Sequence, residues 1–239
     1  MNEVFVLNVR LNALEASSLA EMVSALIRGN DRSSIYKINT EFLIRALRDR
    51  DFLGVLNSST LNISDGRGVL WAAKFLSLPF ATKKLLITNN KLLMTMEAVW
   101  QMIYSGAAIV FNPKYITYPI SENIPGVDAL KIMLRAADEA NASVFLFGAT
   151  QNDLEMAINN IQKEMPRLKI VGSLNGYDFQ KDSMMDPVSI INETDAKLLV
   201  VALGSPLQEN WIRNNLGKLS SVRVAVGEGG SLAFPSVCF

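Results

Sequence analysis

The sequence predicts an α/β protein: a Rossmann-like parallel sheet flanked by helices, with a smaller N-terminal α/β half. Apolar runs such as "SVFLFG" (143–148) and "KLLVVALG" (197–204) do not alternate with polar residues, which indicates strands buried on both faces. Segments of helical period separate these runs, as in parallel sheets. Because ligands of such sheets bind beyond the carboxyl ends of the strands, we expect the site there.

The N-terminal part of the chain alternates between strands and helices. Apolar periodicity and capping residues predict the elements. Asn39 and Thr40 are alternative caps of the second helix. In order, we expect a strand over 4–9, a helix over 13–28, a strand over 35–38, a helix over 39–56, a strand ending at 63 and a helix over 69–76.

The middle segment, residues 81–119, is less regular. The sequence predicts a strand over 83–88, a helix over 89–106 and a strand over 107–113. Such an apolar helix face is more often part of a core than a membrane contact, so core packing is the preferred interpretation and membrane contact the alternative. The face consists of Leu92, Met96, Val99, Trp100 and Ile103.

From residue 126 onward the pattern becomes regular. Each apolar run is followed by a segment of helical period. We expect a helix over 126–140, a strand over 143–150, a helix over 151–166, a strand and turn over 168–179, a helix over 185–193, a strand over 197–206, a helix over 207–219 and a last strand and glycine turn over 222–230.

The composition removes several classes of chemistry. The 239 residues include no histidine and one cysteine, Cys238. A Ser-His-Asp triad, a Cys-His pair, a zinc site of histidines and cysteines and a disulfide framework are therefore excluded. Acid–base chemistry must come from Asp, Glu, Lys or Tyr.

The lack of a disulfide framework fits a reducing cytoplasm, and charge and hydropathy argue against two other classes of protein. The formal net charge is zero, so no bulk basicity indicates nucleic-acid binding. The N-terminus has no basic stretch before an apolar one, and no apolar run reaches about 18 residues, so we expect neither a signal peptide nor a spanning helix.

Five glycines follow or end predicted strands. Glycine at such a point lets backbone N–H groups approach a phosphate, and the next helix N-terminus favours an anion. Each glycine alone is explained by a tight turn, but five together favour a nucleotide crevice. Neither a GxGxxG fingerprint nor a P-loop is present, so NAD binding and ATP hydrolysis are poorly supported. The glycines are Gly148, Gly172, Gly176, Gly204 and Gly227.

The stretch "LGSPLQENWI" (203–212) is the most specific in the second half. Pro206 suits the first turn of a helix, which then carries Gln208 and Glu209 beside the crevice. Gln208 can both donate and accept, as recognition of a uracil or a sugar hydroxyl requires. The alternative is a capping role for Glu209 and a surface position for Gln208.

The stretch "SDGRGV" (64–69) places a carboxylate, Asp65, where a strand gives way to a glycine turn. Asp before Gly is a common turn signal, and its side chain could simply tie the turn. The carboxyl end of a buried strand is also where a general base would lie.

Seven motifs together resemble the WecG/TagA/CpsF family of bacterial glycosyltransferases. They occur in the family's order and cover most of the chain outside 81–119. The patterns around "SDGRGV" and "LGSPLQENWI" are the most specific. The motifs are "INTEF" (38–42), "SDGRGV" (64–69), "IPGVDAL" (124–130), "FLFGAT" (145–150), "PRLKIVGSLNGYDF" (166–179), "LGSPLQENWI" (203–212) and "VGEGG" (226–230).

The resemblance implies transfer of a sugar from a UDP-sugar to an undecaprenyl-diphosphate-linked sugar, in cell-wall, teichoic-acid or surface polysaccharide synthesis. The best-known members use UDP-N-acetylmannosamine or its uronic acid and lipid-linked N-acetylglucosamine; others use glucose or related donors. The family is inverting and metal-independent, so no cofactor is expected. The resemblance also implies peripheral contact with the cytoplasmic membrane face. A homo-oligomer is a further option, because without the family's tail apolar surface is left for a partner subunit.

The resemblance also assigns site residues. Asp65 would take the proton from the acceptor hydroxyl, and Gly66 and Gly68 would let substrate approach closely. Asn39 would hold a sugar, and residues 208–209 would lie on the nucleotide side. The candidate substrate-binding residues also include Thr40, Arg67, Gly126, Asp128, Gly148, Gly176, Tyr177, Gly204, Pro206, the nucleotide-side pair Gln208 and Glu209, and Gly227.

Four departures separate the sequence from the family pattern. Lys37 replaces a threonine, and Asn123 replaces an arginine. If that arginine meets a diphosphate, its loss removes a charged hydrogen bond of roughly 1.5–3 kcal/mol, for which Lys37 or Arg67 could compensate. Residues 81–119 look inserted between an acceptor-side half (1–80) and a nucleotide-sugar half (120–239) of one compact unit. A basic, Trp-containing tail that completes the family's site is expected to be missing after "SLAFPSVCF".

These departures leave alternative functions open. The second interpretation is a non-catalytic nucleotide-sugar-binding or scaffold protein, favoured by Asn123 and the expected lack of a tail. A Rossmann-type oxidoreductase is the third, and it lacks the glycine fingerprint.

Overall fold

The computed structural model describes residues 2–78, 91–176 and 186–228, and its α/β architecture confirms the predicted fold class. The strands are β1 (Glu3–Val6), β2 (Val9–Asn12), β3 (Ser33–Ile38), β4 (Leu61–Ser64), β5 (Ser143–Gly148), β6 (Lys169–Leu174), β7 (Leu198–Ala202) and β8 (Val224–Gly227). The last six form one parallel sheet in the order β4-β3-β8-β7-β5-β6, and β1 and β2 form an antiparallel hairpin.

Helices connect the parallel strands. They are α1 (Ala16–Arg28), α2 (Thr40–Arg48), α3 (Arg50–Asn57), α4 (Arg67–Ser77), α5 (Lys91–Phe111), α6 (Gly126–Glu139), α7 (Gln151–Glu164), α8 (Pro187–Asn192) and α9 (Leu207–Asn215). Short 3-10 turns follow α5 at Pro113–Ile116 and α9 at Leu216–Lys218.

Two N-terminal predictions are wrong in detail. The single strand expected over 4–9 is a hairpin, because Leu7 and Asn8 adopt positive φ and reverse the chain between β1 and β2. The single helix expected over 39–56 breaks at Asp49, whose carboxylate accepts a hydrogen bond from the Phe52 N–H at 2.9 Å and so caps α3. An Asp side chain that bonds nearby backbone competes with helix continuation.

The predicted strand over 107–113 is also wrong, because α5 continues to Phe111. The Asn112 N–H still donates to the Ala108 carbonyl at 2.7 Å, so the helical hydrogen-bond pattern reaches the end of this apolar run. Short apolar runs do not separate strand from helix by period alone. The strand predicted over 83–88 lies outside the described residues.

Strands β3, β4, β5, β7 and β8 are buried along their length, as the unbroken apolar runs predicted, whereas the edge strand β6 is partly exposed. Neighbouring residues of one strand belong to different clusters: Val200 packs with α1, α6 and α7, whereas Val201 packs with α2, α3, α4 and α9. Both valines are fully buried. Helices therefore cover both faces of the sheet, and the carboxyl ends of the strands lie between these two layers of helices.

The preferred core interpretation of the apolar face of α5 is wrong. The "α5 stripe" comprises Met96, Val99, Trp100, Ile103 and Phe111, and all five side chains are exposed, Trp100 to 66%. The burial of Leu92 lies outside what the structure describes. Within the described residues, no helix combines the length and apolarity that crossing a membrane requires.

Candidate active site

The carboxyl edge of the sheet brings the predicted site residues onto neighbouring strands. Because β4, β3, β8 and β7 are adjacent, the chain segments that leave them are adjacent too. Asn39 follows β3, Asp65 follows β4, Glu228 follows β8 and Gly204 follows β7. The N-terminus of α6 joins this group through Asp65.

Asp65 links the end of β4 to the start of α6. Its backbone N–H donates to the Ile38 carbonyl at 2.8 Å, and its Oδ1 accepts from the N–H of Gly126, the first residue of α6, at 3.2 Å. The carboxylate is partly exposed, and Oδ2 has no hydrogen-bond partner among the described residues. One oxygen therefore holds the carboxylate at a helix N-terminus, which favours its negative charge, while the other is available.

The turn after Asp65 depends on two glycines. Gly66 has φ +103°, a conformation that side-chain-bearing residues rarely adopt, and its N–H donates to Asn123 Oδ1 at 2.6 Å. A Cβ on Gly68 would lie 2.6 Å from Thr40 Oγ1. The close approach at Gly68 is thus to Thr40 at the start of α2, and Arg67 between the glycines is exposed.

The end of β3 resolves which residue caps α2. Asn39 is the N-cap, because its Oδ1 accepts from the Phe42 N–H at 3.1 Å, and Thr40 is the first helical residue. Asn39 remains partly exposed and Thr40 exposed at the edge of the sheet. A substrate role for both residues stays a prediction.

A buried ion pair, which the sequence did not reveal, lies beside these residues. Lys37 Nζ is 2.5 Å from Glu228 Oε2, and the two side chains are 5% and 0% exposed. The register places them together, because Tyr36 of β3 pairs with Gly227 of β8. Lys37 is therefore neutralised by a carboxylate. A lysine between Tyr36 and Ile38 in a buried strand was the available signal that an acidic partner had to be nearby.

Gln208 and Glu209 lie in the protein interior, so the surface alternative for Gln208 is wrong. Gln208 Nε2 donates to Glu209 Oε1 at 2.6 Å, and Tyr36 Oη donates to the Glu209 carbonyl at 3.2 Å. Burial raises the pKa of Glu209. A Cβ on Gly227 would approach both Gln208 Nε2 and Glu209 Oε1, at 3.1 and 3.2 Å, so this glycine makes room for the pair.

The other glycines near the crevice have individual geometric reasons. Gly148 has φ +118°, and a Cβ there would lie 2.3 Å from the Ala202 carbonyl oxygen. Gly176 packs against Gly148 and Leu203, and Gly204 has φ +80° before α9. Gly172 corrects the prediction: it lies inside β6 rather than after it.

Three further candidates complete the set. Pro206 lies immediately before α9 rather than inside its first turn. Asp128 is exposed in the first turn of α6. Tyr177 lies outside the described residues. Across residues 2–78, 91–176 and 186–228, no three His, Cys, Asp or Glu side chains are grouped as a metal site.

Comparison with known proteins shows similarity to one family of glycosyl transferases. The model of the "Glycosyl transferase WecG/TagA/CpsF family" matches residues 4–88 and 83–236. A Bacillus subtilis N-acetylglucosaminyldiphosphoundecaprenol N-acetyl-beta-D-mannosaminyltransferase is 27% identical over 197 residues, covering 82% of this chain and 60% of the relative.

Enzymes of the same name give shorter matches. The one from Bacillus spizizenii is 30% identical over 126 residues, covering 53% of this chain and 48% of its own length. That from Staphylococcus aureus is 25% identical over 131 residues, covering 55% and 50%. The chain thus spans between 48% and 60% of these relatives. Since the family model matches nearly the whole chain, the protein belongs to the WecG/TagA/CpsF family of glycosyl transferases.

Proposed function

We propose that this protein transfers a hexose, N-acetylmannosamine or a related sugar, from a UDP-sugar to an undecaprenyl-diphosphate-linked sugar, with inversion and without a metal. Family membership and the names of the relatives support the class of reaction. The observation that carries the proposal is the position of Asp65, a partly exposed carboxylate at the carboxyl edge of the sheet with one oxygen available.

Asp65 would act as the general base. Its Oδ2 accepts the proton of the acceptor hydroxyl while that oxygen attacks the anomeric carbon of the donor. The bond between the anomeric carbon and the diphosphate oxygen breaks, and UDP leaves with its electron pair. Oδ1 stays bound to the Gly126 N–H, which fixes the carboxylate in place during proton transfer. A positioned base contributes about 10²–10⁴-fold to such a step.

The donor would occupy the crevice beside Gly204 and the start of α9. Arg67 is the exposed cation nearest in sequence to Asp65, and we assign it to the departing diphosphate. Lys37 is a poorer candidate for that task, because Glu228 already neutralises it. A guanidinium suits phosphate oxygens because it can donate two parallel hydrogen bonds.

The test is UDP release from a panel of UDP-sugars with a short-chain polyprenyl-diphosphate N-acetylglucosamine acceptor. Asp65→Asn keeps an oxygen for the Gly126 N–H but removes the base, so we expect acceptor-dependent release to fall about 10²–10⁴-fold. The matched control is Asp51→Asn, which changes an exposed aspartate in the first turn of α3 and should leave release unchanged. Equal activity of both variants would remove Asp65 from the mechanism.

A second candidate function is a non-catalytic nucleotide-sugar-binding homologue. The observation that favours it is the bond from the Gly66 N–H to Asn123: an amide that holds a turn stands where the family resemblance implies an arginine. Under this alternative the protein binds UDP without turning over any donor, and Asp65→Asn leaves that binding unchanged. Isothermal titration with UDP, run beside the release assay, separates the two.

A further inference from the structure

The α5 stripe faces away from the body of the protein. Met96, Val99, Trp100 and Ile103 follow the spacing of one helix face, and Phe111 extends that face to the end of α5. Ser105 comes nine residues after Met96, two and a half helical turns, so it lies on the opposite side. There its Oγ accepts a hydrogen bond from Trp71 Nε1 of α4 at 3.0 Å. The stripe is therefore the outer face of a helix whose inner face is anchored.

The stripe is long and almost free of charge. From Met96 to Phe111 it extends about 22 Å, at about 1.5 Å per residue. The whole of α5 has two charged residues in its sequence, Lys91 and Glu97. A groove of about 340 Å³ runs along it, lined by Thr95 and four members of the stripe. Exposed apolar surface of this extent marks an interaction site.

The flanks of the stripe have the composition of a membrane–water interface. Tyr104 is exposed and contacts Tyr115 edge-on, with ring centroids 6.2 Å apart. Lys74 Nζ lies 4.9 Å from the centroid of the Tyr115 ring and 5.4 Å from that of Tyr118. Trp and Tyr favour the interfacial layer of a bilayer, and lysines beside them meet anionic headgroups.

We infer that the α5 stripe docks the protein onto an anionic lipid bilayer, lying in the interfacial layer with α5 parallel to the membrane plane. Trp100 and Ile103 enter the acyl boundary, while Lys74 stays at headgroup level. An apolar, tryptophan-containing helix face that is bordered by tyrosine and lysine side chains suits this layer. The inference rests on the proposed function in one respect: membrane binding would be useful to the protein because the acceptor of that reaction is anchored in a membrane.

The anchor of α5 connects this surface to the candidate site. Trp71, which bonds to Ser105, lies in α4, and α4 begins at Arg67, two residues after Asp65. A membrane bound by the stripe therefore lies across α5 from α4, the helix that begins two residues after the proposed base. That arrangement would present the diphosphate end of a lipid-linked acceptor to the carboxyl edge of the sheet.

The test uses the full chain with vesicles of phosphatidylcholine and phosphatidylglycerol, scored by flotation and by quenching of tryptophan emission with brominated lipid. Trp100→Gln with Ile103→Gln removes two side chains that are 66% and 57% exposed, so folding should not change. We expect vesicle binding to weaken about tenfold or more, since each buried side chain contributes substantially. Vesicles of phosphatidylcholine alone should bind less.

The matched control is Ile44→Gln with Leu47→Gln on α2. This pair has the same spacing and similar exposure, 47% and 56%, and should leave binding unchanged. Equal loss in both variants, or no binding of the wild type, overturns the inference. So does a wild-type dimer that the Trp100/Ile103 variant dissociates, because the stripe would then be covered by a second copy of the chain.

The outcome is separable from that of the proposed function. Turnover of a short-chain, water-soluble acceptor without vesicle binding would overturn the docking surface and leave the transferase in place. Stripe-dependent vesicle binding without turnover of any donor would leave the docking surface in place and count against the transferase.

Discussion

The Lys37–Glu228 pair gives the sharpest prediction about this fold. Its two side chains are almost fully removed from solvent, with 2.5 Å between Nζ and Oε2. Replacing Lys37 by Met leaves the Glu228 carboxylate buried without this cation, and replacing Glu228 by Leu leaves the Lys37 ammonium buried without this anion. In each case the folded state, but not the unfolded chain, buries a charge that has lost its partner across the two strands.

The expected magnitude follows from that burial. Breaking a buried pair on one side costs about 3–5 kcal/mol, whereas replacing both partners by apolar residues of similar volume is often neutral or stabilising. For a chain of this length, each kcal/mol corresponds to roughly 2–4 °C in Tm. We therefore expect each single variant to lose about 6–20 °C, and the double variant Lys37→Met/Glu228→Leu to recover most of that loss.

The assays are thermal unfolding for Tm and urea unfolding for the free energy, on the wild type, both single variants and the double variant, which together form a thermodynamic cycle. Arg167→Met is the control, because it breaks the ion pair with Asp138, in which the Arg167 side chain is 85% exposed. An exposed pair contributes about 0–1 kcal/mol. If the single variants at 37 and 228 cost no more than the control, and their effects simply add, the reasoning from burial is refuted.

Three further predictions concern other positions. Gly148→Ala should cost roughly 2–6 kcal/mol in the urea assay, because alanine would have to adopt a positive φ and its Cβ would meet the Ala202 carbonyl. Gly106→Ala, in α5 with open space around it, should instead stabilise the protein by about 0.5–1 kcal/mol. Equal losses of stability in the two variants would contradict the geometry. Burial raises the pKa of Glu209 above its ordinary 4.5, so its contribution to stability is complete below pH 4.5 and declines as the pH rises through the folded pKa. Glu209→Gln should therefore gain stability over the wild type as the pH approaches neutrality, and parallel pH curves would argue against it. Asp49→Ala removes the cap of α3 and should cost about 0.5–2 kcal/mol by thermal unfolding, whereas no change would show that the cap is dispensable.

The sequence predicted the sheet well because burial on both faces leaves a direct trace in it. Strands such as β5 and β7 are unbroken apolar runs, and turn and capping residues mark many of the boundaries. The sequence was less informative where one segment suits both a strand and a helix. The run over 107–111 suits a strand or a helix, and only its continuity with α5 makes it helical.

For the candidate site, too, the sequence predicted some features and the assembled fold was needed for others. The sequence placed Asn39, Asp65 and Gly204 at the carboxyl ends of strands, since that depends only on where each strand ends. It did not show that Asp65 meets the N-terminus of α6, because residues 65 and 126 become neighbours only when the sheet and its helices assemble. Nor did it show that Gln208 is buried against Glu209 and Gly227, and the role of Gln208 on the nucleotide side stays a prediction.

The sequence by itself determined the fold class, the family and the chemistry available, because apolar runs, ordered motifs and the absence of histidine are local properties of the chain. The tertiary structure alone decided which residues are partners and which faces are open. Lys37 and Glu228 are 191 residues apart and meet through strand register. The α5 stripe is exposed because its opposite face, at Ser105, is the one that packs, and helical period alone does not say which side of a helix the protein covers.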